Sequence, residues 1–315
     1  MSISRLYPSF VVGSFLAGVL SSYAVFANRA QVPQNAEPQP LSASRPAGLT
    51  AESGTDLAAL MQQINPADGY ELPVRYGDLG PRLLAAGVID VSAFSAIYEN
   101  AGNPLTEPQM EILQRGSDEQ IVITPENAHF LLNYLWAVGL ANRNPILTEG
   151  PIIQNSGGQV DRFASTGGWT LATRPVAEIY ASLDLISLTS AQQARVEEVA
   201  AAVYRPCCDN PTLFPDCNHG MAMLGLLELM AANDASVDEM FDAAKYVNGY
   251  WFPQQALEVA LDLQANQGMS FTDAEARLVT GREYFSGSGF GSTHQRLQAL
   301  DLLPQVAGGQ GSCAN

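Results

Sequence analysis

From Ala128 to Asn142 the chain reads AHFLLNYLWAVGLAN, a stretch of helix-forming length with almost no polar side. A helix that is apolar all round is stable only when neighbours cover every face, so this segment predicts a central helix with a core built around it. A second segment, Gly220–Ala232 (GMAMLGLLELMAA), is nearly as apolar and holds one charge, Glu228. A buried carboxylate must be paired or put to use, because leaving water uncompensated is costly.

Helix start signals recur around these two segments. Thr55-Asp56 opens a helix that stops at Asn65-Pro66, Pro81 sits in the first turn of one reaching Val88, and another runs from Val91 to Glu99. Thr106-Glu107-Pro108 and Thr124-Pro125-Glu126 each combine a hydroxyl cap, an early proline and an acid at the positive helix end. Further helices are expected at 175–185, 189–204, 216–232, 236–250, 253–266, 272–284 and 293–303. Strand-like alternation is scarce, with Gln120–Ile123 the best candidate. The expected fold class is therefore all-α: a single irregular multi-helix domain over residues 55–315, with 143–170 as the place where it would divide if it held two. At 315 residues and 47% hydrophobic, the chain has enough apolar surface for a substantial core.

The N-terminus has a different character. No charge interrupts Leu6–Ala27, which follows Arg5 and ends on Val25-Phe26-Ala27. It is longer than the apolar core of most signal peptides and matches a spanning helix. Residues 1–27 are thus expected to be a signal peptide or a retained membrane anchor, and both readings place the remainder outside the cytoplasm. Residues 28–54, rich in Pro, Ala, Ser and Gln, have too few large apolar side chains to offset ordering entropy and read as a disordered linker.

Charge narrows the partners. Fifteen basic residues against 32 acidic ones give a net charge of -17 and an isoelectric point near 4.4. Phosphate backbones need a clustered basic surface, so nucleic acid is not an expected partner. The basic set holds a single lysine, Lys245, which makes Schiff-base or nucleotide-clamping chemistry a poor fit.

The chemistry concentrates in RPCCDNPTLFPDCNHGMAM, residues 205–223. Three of the four cysteines (Cys207, Cys208 and Cys217) and one of three histidines (His219) lie there. Asn210-Pro211 and Pro215 break any helix, so 206–215 is expected to be a loop. With Asp216 as N-cap, Cys217 and His219 would fall in the first turn of the helix that follows, where its positive end favours thiolate. His219 and Met223 are four residues apart and share a face. Folded over that terminus, the loop would bring Cys207, Cys208, Cys217 and His219 together as ligands, with Met223 as a fifth. Thiolate, imidazole and thioether together suit a thiophilic transition metal, copper or zinc.

Two other readings of the same residues stay open. Outside the cytoplasm an even number of cysteines points to disulfides, Cys208–Cys217 and Cys207–Cys313, in a structural or interaction module. A thiol-dependent enzyme would use Cys217 as nucleophile, with His219 as a poorly oriented neighbour. The spacing C-C-x8-C-x-H differs from the C-x2-4-C pairs of common structural zinc sites and resembles no standard metal-protein signature. The chain has no C-x-x-C, H-E-x-x-H, G-x-S-x-G or Walker loop. Gly287, Gly289 and Gly291 in FSGSGFGST lack the lysine and preceding strand of a phosphate loop and read as a flexible connector. His129 is expected in the core and His294 at the surface. Trp136, Trp169 and Trp251 are expected in the core or as groove walls. Glu126, Glu178 and Glu228 are the carboxylates whose burial matters.

Overall fold

A computed structural model describes residues 56–304. The signal-or-anchor segment 1–27, the linker 28–54 and Cys313 lie outside the described residues. Among the described residues, no helix is long and apolar enough to cross a membrane.

The chain is mostly helical, as the periodicity predicts, with one two-stranded ribbon added. Helix α1 spans Leu57–Ile64, and Asp56 caps it by accepting from the amides of Ala58 and Ala59. Strand β1 (Tyr70–Gly77), helices α2 (Leu79–Ala85), α3 (Val91–Asn100) and α4 (Glu107–Arg115), and strand β2 (Ser117–Ile123) follow. Thr106 and Gln109 close α4 with a reciprocal capping box.

The ribbon is a small addition to the all-α expectation, and β2 contains the expected strand Gln120–Ile123. β1 and β2 pair antiparallel, and Leu72, Val74 and Tyr76 point inward opposite Ile121 and Ile123. Pro73 is tolerated because the pairing slips between Glu71 and Arg75, and a two-stranded ribbon asks no ladder bond of it there.

Helix α5 (Ala128–Ala141) begins three residues later than its start signal suggests. The backbone amides of Thr124 and Asn127 donate to each other's side chains, and Asn127 Nδ2 donates to Val122 O, so this turn ties α5 to β2 instead of starting the helix. After α5, residues 145–179 form short helical turns. The helix expected over 175–185 shrinks to Val176–Ile179, because Leu183 leaves it to bridge Asn142. Helices α6 (Ser190–Ala202), α7 (Asn218–Ala232), α8 (Val237–Trp251) and α9 (Pro253–Gln267) fall where expected. The segment expected as one helix over 272–284 breaks into two turns, Ala276–Val279 and Arg282–Phe285. Helix α10 (Gly287–Ala299) starts six residues before its expected cap. FSGSGFGST is therefore helix rather than connector, with Ser286 Oγ accepting from Gly289 N.

At the centre, α5 packs against α7 along nearly its whole length, and every residue of α5 except His129 is buried. Gly139 abuts the backbone of Met221 and Gly225, and Gly225 abuts Leu135 and Gly139. A Cβ on Gly139 would stand 2.1 Å from Met221 O, so only glycine permits this approach. Three residues further along both helices, Asn142 Nδ2 donates to Glu228 Oε2 at 3.0 Å. The register advances in the same direction on both, so the two helices run parallel. Their positive ends lie at one end of the core, the end that carries the cysteine loop.

Candidate metal centre

The loop between α6 and α7 folds back on the helix it leaves. Thr212 N and Oγ1 both donate to Val203 O, and Leu213 N donates to Ala200 O. From the opposite side the N-terminus of α10 holds the cysteine turn, with Gly287 N donating to Cys208 O at 2.8 Å and Ser288 N to Asp209 Oδ1 at 2.8 Å. The glycine-rich stretch is thus a wall of the site.

Through the middle of the loop runs Arg205, whose side chain is 2% exposed. Its guanidinium donates to Asn210 O, Phe214 O and Asp216 Oδ1, and Nε donates to Cys217 Sγ at 2.9 Å. The planar fork satisfies several parts of the loop at once, which an ammonium could not do. Gly220 makes room for it: a Cβ there would lie 2.5 Å from Arg205 Cζ. Asp216 is committed to Arg205 and to Asn210 Nδ2, so it is not the helix cap. Cys217 takes that place, its Sγ accepting from Gly220 N at 3.4 Å.

Three thiols meet here. The Sγ atoms of Cys207, Cys208 and Cys217 all lie within 4.8 Å of one another, close enough to hold a metal ion, and Cys207 and Cys217 are 3.4 Å apart. That separation exceeds the roughly 2.05 Å of an S–S bond, and all three cysteines are free. Sulfurs bound to one tetrahedral ion at about 2.3 Å stand roughly 3.8 Å apart, close to this arrangement.

Electrostatics single out one sulfur. The neighbouring thiols of Cys207 and Cys208, then the charge and hydrogen bond of Arg205, hold Cys217 well below the ordinary thiol range against the opposing effect of burial. Cys207 is pushed up by sharing its hydrogen bonds with Cys208 and Cys217 and by burial. For Cys208 the bond to Cys207 lowers the pKa, but the bond to Cys217 and burial outweigh it and push it up to about 11. Of the three sulfurs, Cys217 is the one these neighbours bias towards thiolate.

His219 does not join this group. The imidazole of His219 packs at 4.4 Å on the ring of Phe252 and beside Trp251, and Nδ1 contacts Asn218 Oδ1 at 2.9 Å. Burial lowers its pKa to about 4, with the negative Cys217 opposing, so it is neutral at pH 7. Met223 is 2% exposed and belongs to the core around α7.

The remaining candidates disperse. Lys245 is buried and donates to the carbonyls of Thr272 and Ala274. His294 lies at the surface, though its Nδ1 meets the buried carboxylate of Glu258 at 2.7 Å. Glu126 and Glu178 are exposed, whereas Glu228 is buried with Oε1 unpartnered. Arg205 is the residue that sequence reasoning missed. Its one trace was an arginine placed directly before a proline and a pair of cysteines. No protein-family model, curated protein or solved structure matches this chain.

Proposed function

We propose that this protein binds one thiophilic transition-metal ion, zinc or copper, through Cys207, Cys208 and Cys217, outside the cytoplasm. The observation that carries the reading is the convergence of three free sulfurs within 4.8 Å at the mouth of a buried helix. The loop and the start of α7 position these three sulfurs. His219 is the proposed fourth ligand through Nε2. With Nδ1–H directed at Asn218 Oδ1, it has the usual arrangement of a ligating imidazole, one nitrogen anchored and the other free. Ligation requires the ring to swing towards the sulfurs. Met223 serves as core packing. Arg205 offsets part of the charge that three thiolates would bring to the loop, and few acid–base groups stand nearby, which favours holding or delivering an ion over catalysis.

The 3.4 Å contact between Cys207 and Cys217 also supports a second reading, in which oxidation joins these two and leaves a structural module. Titration of the reduced full-length chain with zinc and with copper(I) separates the two. One ion per chain is expected, with Cys217→Ser weakening binding by more than the roughly 10–100-fold of an outer-shell change. No uptake by the reduced protein, together with a Cys207–Cys217 disulfide in the protein as purified, would reject the metal reading.

A further inference from the structure

A second cavity lies elsewhere, between the end of α3, the first turns of α5 and the segment 168–171. Its volume is about 750 Å³, within the usual range for small-molecule pockets. No Asp, Glu, Lys or Arg lines it, in a chain of net charge -17. Trp136 and Trp169 form a wall, their rings 4.9 Å apart and nearly perpendicular. Both indole N–H groups are spent inside the protein, on Ser165 O at 2.7 Å and Val88 O at 2.8 Å. The rings therefore offer the cavity only apolar surface.

The polar groups are few and convergent. Asn133 is 5% exposed and lines the cavity. Its Nδ2 donates to Tyr98 Oη at 2.9 Å and meets His129 Nε2 at 3.3 Å, while no described group donates to its Oδ1. That oxygen is not fully enclosed by protein, and its open side is the cavity. His129, one turn earlier on α5, lines the same space. With Nε2 accepting from Asn133, a neutral imidazole carries its hydrogen on Nδ1 and becomes a donor. An unused acceptor on Asn133 and a donor on His129 thus line one cavity with an uncharged aromatic wall.

We infer that this cavity is a binding site for a neutral ring compound that carries a hydrogen-bond donor and acceptor on adjacent positions of one edge and an apolar face. Two sources share that chemistry, the hydroxyls of a saccharide ring and the amide edge of a neutral heterocycle. The site does not depend on the cysteine centre.

The chain has three tryptophans, so the indole region of a 1H–15N spectrum of the full-length protein holds three reporters. Trp136 and Trp169 watch this cavity, while Trp251 lies beside His219. The probes are methyl glucoside and uracil, with glucuronate and orotate as their charged counterparts. At least one neutral ring, at millimolar concentration, should shift Trp136 and Trp169 and leave Trp251 in place, and whichever binds identifies the source. Its charged counterpart should bind at least roughly tenfold more weakly, the effect of leaving one charge or hydrogen bond uncompensated. Ala101→Trp, an exposed position on the rim, should abolish the shifts while leaving the spectrum otherwise intact. Asn133→Leu, which keeps the volume but removes the acceptor, should weaken binding by roughly tenfold. If neither neutral ring moves Trp136 and Trp169, if the charged rings act equally, or if Ala101→Trp binds unchanged, the inference is overturned.

Discussion

A single arginine organises the cysteine loop. Arg205 is the largest fully buried side chain, and its partners include two loop carbonyls, the Asp216 carboxylate and the Cys217 sulfur. Arg205→Met would leave Asp216 without its cation and two carbonyls without donors. Removing one partner of a buried ion pair costs about 3–5 kcal/mol, so denaturant unfolding should show a loss of this order. The Cys217 thiol should also titrate at higher pH in the variant, as followed by thiolate absorbance. A variant of wild-type stability would mean that the hydrogen bonds do not hold the loop. This residue was illegible in the sequence for a physical reason. Arginine is almost always solvent-exposed unless paired, and two of its four partners here are backbone carbonyls, which have no residue signature. The cysteines were legible because rare residue types clustered. That His219 would turn from the sulfurs onto Phe252 was not, because Phe252 belongs to the end of a different helix.

Among elements, the two apolar helices were read correctly because a helix without a polar face has one place to go. Their parallel pairing was hidden, since it depends on Gly139 meeting Gly225 from segments far apart in sequence. Half of the ribbon was legible, since β2 contains the strand candidate Gln120–Ile123, whereas Pro73 and the charges of Glu71 and Arg75 masked the period-two alternation of YELPVRYG in β1. FSGSGFGST was misread because glycine carries no helix signal of its own. Its helix forms by docking on the cysteine turn and by the Ser286 cap. Two glycine substitutions separate these roles. Gly220→Ala places a methyl 2.5 Å from a guanidinium fixed by four hydrogen bonds, so it should destabilise by about 1–3 kcal/mol and weaken metal binding in the same titration. Gly291→Ala, in α10 with nothing within 4 Å, should raise stability by up to about 1 kcal/mol. Equal effects at the two positions would contradict the packing described.

For the molecule as a whole, the buried carboxyl of Glu228 couples stability to pH. Burial raises its pKa from 4.5 to about 8, against the lowering effect of the Asn142 hydrogen bond. The native state therefore holds a proton that the unfolded chain releases. This contribution to stability is complete below about pH 4.5 and is lost as pH rises towards about 8, at up to about 1.4 kcal/mol per pH unit. Glu228→Gln should flatten the stability profile across that window, as measured by denaturant midpoints. Parallel profiles for the two proteins would show that Glu228 is ionised in the core.

The molecule, then, is a helical body with a parallel helix pair at its centre and three thiols at one end of it. X-ray absorption at the edge of the ion bound to the reduced full-length protein examines that end directly. Three sulfur neighbours at about 2.3 Å, with one lighter nitrogen neighbour, are expected for zinc. A first shell of oxygen and nitrogen alone would contradict the assignment of Cys207, Cys208 and Cys217 as ligands.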